Sequence, residues 1–311
     1  MLPALEGSED RRRQQLGMLQ GRQGLEATER GDGHGPIKQQ PTSRPAVTRS
    51  SCRTWCRVTW PAHRRRVRRG MLPSVIGHRG APGYRPEHTQ ASYRLAIALG
   101  ADAVEPDVVM TRDGVAVLRH ETELSDTTDV AAHPELADRH TVKQVGGREV
   151  SGWFCEDLTL AELKSLRAVE RLPERRPRNT RWNGCCEVLT LDELLLLVAE
   201  ESRRWDREVG LNIELKRSSY LASIGLPLED AVLASLRDHG LDRRDSGVVL
   251  QSFETGNLRR LRDRTDLPLV QLIESSGAPA DLVALGDPTT YDDLCSHDGL
   301  RAVARYADAL G

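Results

Sequence analysis

The sequence predicts an α/β protein, a parallel sheet covered by helices. Three observations predict it. Short apolar runs at 75–77, 103–110, 210–215 and 248–253 are nearly continuous, as strands covered on both faces are. Amphipathic stretches with helix-capping residues alternate with these runs. Histidines and carboxylates gather at the C-terminal ends of the runs, where folds of this class carry their chemistry.

In chain order, residues 75–77 form the first strand and deliver His78-Arg79-Gly80. Thr89 suits an N-cap, opening a helix that runs through Leu99, and Gly100 suits the left-handed residue after a helix. Residues 103–110 form the second strand. Pro106 within it removes a ladder donor, which is tolerable where a strand gives way to a loop. Arg112-Asp113-Gly114 is a tight turn into a third strand, 115–118, which leads to His120.

The rhythm then breaks. Residues 121–190 form an excursion far longer than the usual βα connection of about 2–6 residues. Thr159-x-x-Glu162 within it and Thr190-x-x-Glu193 at its end are capping boxes, each opening a helix. The stretch 172–186 is rich in Pro, Arg and Asn, with Trp182 included. An excursion of this length at the C-terminal end of a strand reads as lid-like. Alternation resumes with a strand at 210–215 and a helix over 227–239. A strand over 248–253, a helix over 256–264, a sixth strand over 267–273 and a last helix over 300–309 follow. A closed (β/α)8 barrel requires eight strands.

Charge is unevenly spread. Residues 1–70 hold 15 of the 44 Lys+Arg but only 6 of the 46 Asp+Glu, so the formal charge of −2 conceals a basic tail on an acidic body. The tail has no sustained period of 2 or 3.6 and is expected to be a disordered, solvated extension rather than a nucleic-acid arm. Met71, directly before the first strand, is a candidate natural start. The sequence has no apolar run of about 20 residues, so no membrane span is expected. No apolar h-region follows the early basic residues, which leaves a cytoplasmic location as the default. Six cysteines show no C-x-x-C spacing, which argues against zinc and for reduced thiols.

Glu105 and Asp107, two apart on a strand, present carboxylates on one face. Paired acids make a poor core and a good site for a hard cation such as Ca²⁺ or Mg²⁺. His78 and His120 end the flanking strands and titrate near neutral pH, a combination suited to metal-assisted phosphoryl chemistry. Glu214-x-Lys216, alone, also admits the lesser reading of a structural ion pair. His133, His140, His239 and His297 are read as ordinary surface or core histidines. Glu87 is expected to orient the loop after His78. Gln251-Ser252-Phe253 is a candidate pocket wall, and Trp153 and Trp182 are expected to pack.

His78-Arg79-Gly80, Pro86-Glu87-His88-Thr89, Glu105-x-Asp107, His120 and Glu214-x-Lys216 stand in an order and rough spacing that resembles glycerophosphodiester phosphodiesterases. With the long excursion, the pattern looks most like the periplasmic-type bacterial branch. The resemblance covers about residue 75 to the C-terminus. It implies a TIM (β/α)8 barrel of the phospholipase-C-like phosphodiesterase type that hydrolyses small glycerophosphodiesters to an alcohol and sn-glycerol 3-phosphate. By the same resemblance, Glu105, Asp107 and Glu214 are divalent-metal ligands, His78 and His120 the acid/base pair, and Arg79 and Lys216 the phosphate-holding cations.

Residues 71–311 number 241 and include the excursion, whereas a (β/α)8 barrel typically takes about 250. The barrel domain is therefore expected to be incomplete, truncated after about six strands, with the first and sixth strands left as edges. Two other readings follow: an inactive member that at most binds anions, and a phospholipase-like lyase on the same barrel.

Overall fold

The structure, a computed structural model, describes residues 73–145 and 147–311. The expectations for the basic tail, Met71, Cys52 and Cys56 lie outside the described residues. β1 (Ile76–His78) is followed by α1 (Gln90–Ala98), β2 (Ala103–Glu105), β3 (Asp107–Met110) and β4 (Ala116–Leu118). The excursion holds β5 (Thr141–Val145), β6 (Arg148–Gly152), α2 (Leu160–Ser165) and short 3₁₀ turns. After α3 (Leu191–Arg204) come β7 (Gly210–Leu215), α4 (Ser218–Ser223), α5 (Leu228–Asp238), β8 (Val248–Ser252) and α6 (Thr255–Arg262). β9 (Leu269–Gln271), α7 (Ala280–Leu285), α8 (Tyr291–Cys295), α9 (His297–Val303) and β10 (Ala309–Leu310) complete the chain.

The main sheet runs β1-β2-β7-β8-β9-β10, all parallel, with β3 continuing β2 alongside β7. Strand order follows chain order without the reversal of a doubly wound sheet, so the sheet is a six-stranded arc of barrel type. Among the described residues β1 pairs only with β2, and β10 only with β9.

Three sequence expectations are corrected. The run 103–110 is two strands, because Pro106 has no N–H for the ladder; its carbonyl instead accepts from the Glu214 N–H at 2.8 Å. The third strand is not parallel: β4 returns antiparallel to β3 through a tight turn in which Gly114 takes φ +78°. A turn this short cannot form a parallel crossover. The last helix ends at Val303, and residues 309–310 become β10, so β9 is not an edge.

The β3–β4 hairpin is also a partition. Val108, Met110, Ala116 and Leu118 face the main core beneath the helices, whereas Val109 and Val117 face a second core. That second core is built by the excursion from Leu124, Val130, Leu136, Leu158, Leu163 and Leu166, among others. Both predicted capping boxes form, with Thr159 and Thr190 each accepting from the N3 backbone and Glu162 and Glu193 bonding back. Cys155, Cys185, Cys186 and Cys295 are free thiols. No described helix is long and apolar enough to cross a membrane.

Candidate active site

Strand register assembles the site. His78 lies opposite Glu105 across β1–β2, and Asp107 lies opposite Glu214 across β3–β7, with Gln251 next in the row on β8. The break at Pro106 lets Glu105 end one ladder and Asp107 start the next. Glu105, Asp107 and Glu214 are 4%, 0% and 6% exposed. Each offers an oxygen within 4.8 Å of the others'.

Bare, this trio is electrostatically frustrated. Burial, then the charges of Asp107 and Glu214, raise the Glu105 pKa well above the usual carboxylate range. Glu214 is raised as well, chiefly by burial and against the pull of Lys216. Asp107 moves the other way: its burial is outweighed by the His88 hydrogen bond and the charges of His88 and Lys216. Lys216 Nζ sits 2.7 Å from Glu214 Oε1 and 3.7 Å from Asp107 Oδ1, neutralising part of the charge. Glu105 Oε1 and Asp107 Oδ1 are buried and accept no hydrogen bond. Two orphaned carboxylate oxygens facing a third acid fit a hard divalent cation, which would take them as ligands.

Arg79 approaches from the β1 end. Its φ of +58° is left-handed, held by its N–H donating to the Glu105 carbonyl at 2.9 Å and to Glu105 Oε2 at 3.1 Å. This turns its guanidinium inward, with Nε 3.2 Å from Asp107 Oδ2. Gly80 follows at φ +88°, where a Cβ would stand 2.6 Å from the Ser92 backbone, so only glycine fits.

His78 Nε2 lies 3.9 Å from Glu105 Oε2 with 66% of the side chain exposed. Partial desolvation against the strand ends, then the Arg79 charge, lower its pKa. His120, two residues beyond β4, places Nδ1 2.6 Å from Glu121 Oε1. The residue before it, Arg119, donates its N–H to the Asp107 carbonyl at 3.1 Å, which sets His120 beside the same cluster. The structure thus gathers all seven predicted residues at the ends of β1, β2, β3, β4 and β7. Phe253 adds an aromatic wall, with Lys216 Nζ 5.8 Å from its ring centroid.

Two contributors escape a reading of the sequence alone. His88, fully buried at φ +56°, stands with Nε2 2.9 Å from Asp107 Oδ2 and Nδ1 2.7 Å from the Tyr93 hydroxyl. It orients the central carboxylate. Glu121 similarly occupies one nitrogen of His120 and stands 3.8 Å from Arg217. His88 carried a signal in its Pro-Glu-His-Thr motif, but nothing local foretells a partner 19 residues away.

The sequence profile of the glycerophosphoryl diester phosphodiesterase family matches residues 78–306. The chain belongs to this family. Family members are TIM barrels, and the six-stranded parallel arc is part of that fold. A glycerophosphodiester phosphodiesterase of Arabidopsis thaliana is 32% identical over 77% of this chain, and the match spans 64% of that protein's length. One from Haemophilus influenzae is 28% identical over 76% of this chain and 68% of its own. Among solved structures, a protein from Silicibacter pomeroyi named for the same family superposes with a TM-score of 0.55 at 27% identity, covering 76% of this chain and 72% of that one. An Oleispira antarctica phosphodiesterase, solved with the product sn-glycerol-3-phosphate, superposes at TM-score 0.51 with 23% identity, over 77% and 74% of the two chains.

Proposed function

We propose that this chain hydrolyses glycerophosphodiesters to an alcohol and sn-glycerol 3-phosphate, with Ca²⁺ or Mg²⁺ held by Glu105, Asp107 and Glu214. The observation that carries the reading is the trio itself: three buried carboxylates within 4.8 Å, two with oxygens that accept no hydrogen bond, beside two histidines. Such a cation stabilises the charge that develops on a phosphodiester's non-bridging oxygens. Family membership and the product-bound Oleispira structure support the substrate class.

This chain's own residues divide the remaining work. Arg79 and Lys216 hold the phosphate as fixed cations whose orientation is set before substrate arrives. His78, its pKa lowered by desolvation and Arg79, takes the proton of the attacking glycerol hydroxyl, and water then opens the cyclic phosphate so formed to give sn-glycerol 3-phosphate. His120, held through Nδ1 by Glu121, gives a proton to the departing alkoxide. The excursion over 121–190 acts as a lid that shapes the space around the alcohol.

The test compares leaving groups. His120→Ala should lower turnover of glycerophosphocholine by about 10²–10⁴. It should barely affect a nitrophenyl phosphodiester, whose leaving group needs no proton. Equal losses on both substrates would remove His120 from the acid role. Full activity after chelation would remove the cation.

A further inference from the structure

Within the excursion, Arg171 reaches the loop that follows Arg79. Its Nη2 donates to Glu87 Oε1 at 2.7 Å and its Nε to Glu87 Oε2 at 3.0 Å, a fork-on-fork pair between a half-buried guanidinium and a carboxylate 4% exposed. Glu87 also accepts from Arg79 Nη1, but at 3.3 and 3.4 Å. Arg79 in turn reaches Asp107. A continuous chain of charged contacts therefore runs from the excursion through Glu87 and Arg79 to the central carboxylate of the site. The grip is broader than one pair. Beside Arg171, buried Glu170 binds Arg176 and Asn179, and both of these donate to the Pro82 carbonyl, at 3.0 and 3.1 Å. The loop between Arg79 and His88 is thus held from the excursion at two points.

The distances within the chain are unequal. Glu87 is a buried carboxylate between two guanidiniums and spends its short, bidentate contact on the excursion's cation rather than on Arg79. Its pKa is accordingly held down to about 2, its burial outweighed first by the Arg171 hydrogen bonds. Were Arg171 absent, Arg79 would be the one guanidinium left in contact with Glu87 among the described residues, and a buried carboxylate that loses a partner is costly. Arg79 would then be drawn toward Glu87 and away from an incoming phosphate.

We infer that Arg171 is a positioning residue for the phosphate site: by satisfying Glu87, it leaves the Arg79 guanidinium available to the substrate. The inference rests on Arg79 being a phosphate-holding cation. Arg171 acts through Glu87 and does not itself touch substrate, so its effect belongs in phosphate affinity rather than in the proton transfers.

The experiment is a double-mutant cycle on the full chain with two readouts: KM and kcat for glycerophosphocholine, and sn-glycerol 3-phosphate binding by calorimetry in the presence of Ca²⁺. Arg171→Met should raise KM and the product Kd about tenfold and change kcat less than threefold. Arg171→Lys, which restores the charge with a single donor, should recover part of that loss and serves if the Met variant does not fold. In a Glu87→Gln background, Arg171→Met should add less than a twofold effect, since the charge that competes for Arg79 is gone. An unchanged KM and Kd in Arg171→Met overturns the inference, and so does a tenfold loss that persists undiminished in the Glu87→Gln background. If the unsubstituted chain binds sn-glycerol 3-phosphate without turning over the diester, the proposed reaction fails while the calorimetric arm still decides the role of Arg171. Absence of binding by the unsubstituted chain overturns both.

Discussion

Two buried carboxylate clusters lie side by side at the strand ends, and they solve opposite problems. Around Glu87 cations outnumber acids: one acid, two guanidiniums in contact, and a pKa pulled down. Around Glu105, backbone register forces three acids together against one lysine and one arginine in contact, and a pKa is pushed up. The first arrangement holds loops in place. The second is incomplete without another positive charge, which is the physical signature of a binding site rather than of a structural ion pair.

The largest expected effect comes from the residue that belongs to both. Asp107 contacts Arg79 and His88 on one side and faces Glu214 and Lys216 on the other. Asp107→Asn should lower kcat/KM by about 10²–10³ or more while the circular dichroism spectrum stays native. A fully active Asp107→Asn variant would break the comparison outright.

A smaller effect separates the clusters by their response to cations. Ca²⁺ or Mg²⁺ should raise the melting temperature of the chain, with a stabilisation of about 2.7 kcal/mol at a hundredfold excess over Kd. Glu105→Gln should melt higher than the parent without cation at neutral pH, because the parent must take up a proton at Glu105 to bury it, and should lose most of the cation-induced shift. Glu87→Gln should retain that shift. Equal cation responses in the two variants would show that the trio is not the site.

The subtlest effect lies in the pH dependence of the cation-free chain. Glu87, with its folded pKa near 2 against an ordinary 4.5, contributes stability that is present above pH 4.5 and lost as pH falls toward 2. Glu105 is shifted upward, so the folded state keeps a proton that the unfolded chain releases, and its contribution is lost as pH rises above 4.5. Melting temperatures from pH 3 to 8 should therefore flatten on the acid side in Glu87→Gln and on the alkaline side in Glu105→Gln. Parallel curves for both variants and parent would contradict these opposed roles.

Much of this was readable from residue order, and the misses have physical causes. Strand-end chemistry was legible because a parallel sheet needs near-continuous apolar runs, and the polar residues that end them stand out. The capping boxes were legible because Thr159 with Glu162, and Thr190 with Glu193, satisfy helix ends by purely local bonds. The antiparallel direction of β4 departs from the parallel sheet that the apolar runs predict, although its cue is in the sequence: the turn at 112–114 is too short for anything but a hairpin. The β5–β6 hairpin had a cue too, in the Gly-Gly between two short runs. The Glu87–Arg171 pair had none, since it joins residues 84 apart.

The β3–β4 hairpin, with one face in each core, also bears on how the molecule comes apart. Val109 and Val117 are fully buried by the excursion, and Asp107 begins the strand that carries Val109. The excursion cannot melt, or be shortened to a plain loop, without exposing the back of the strand that carries the central carboxylate. Amide protons of β3 and β4 should then exchange with solvent at the same slow rate as those of α2, as one cooperative unit. What looks in the sequence like an insertion is, in its energetics, the rear wall of the active site.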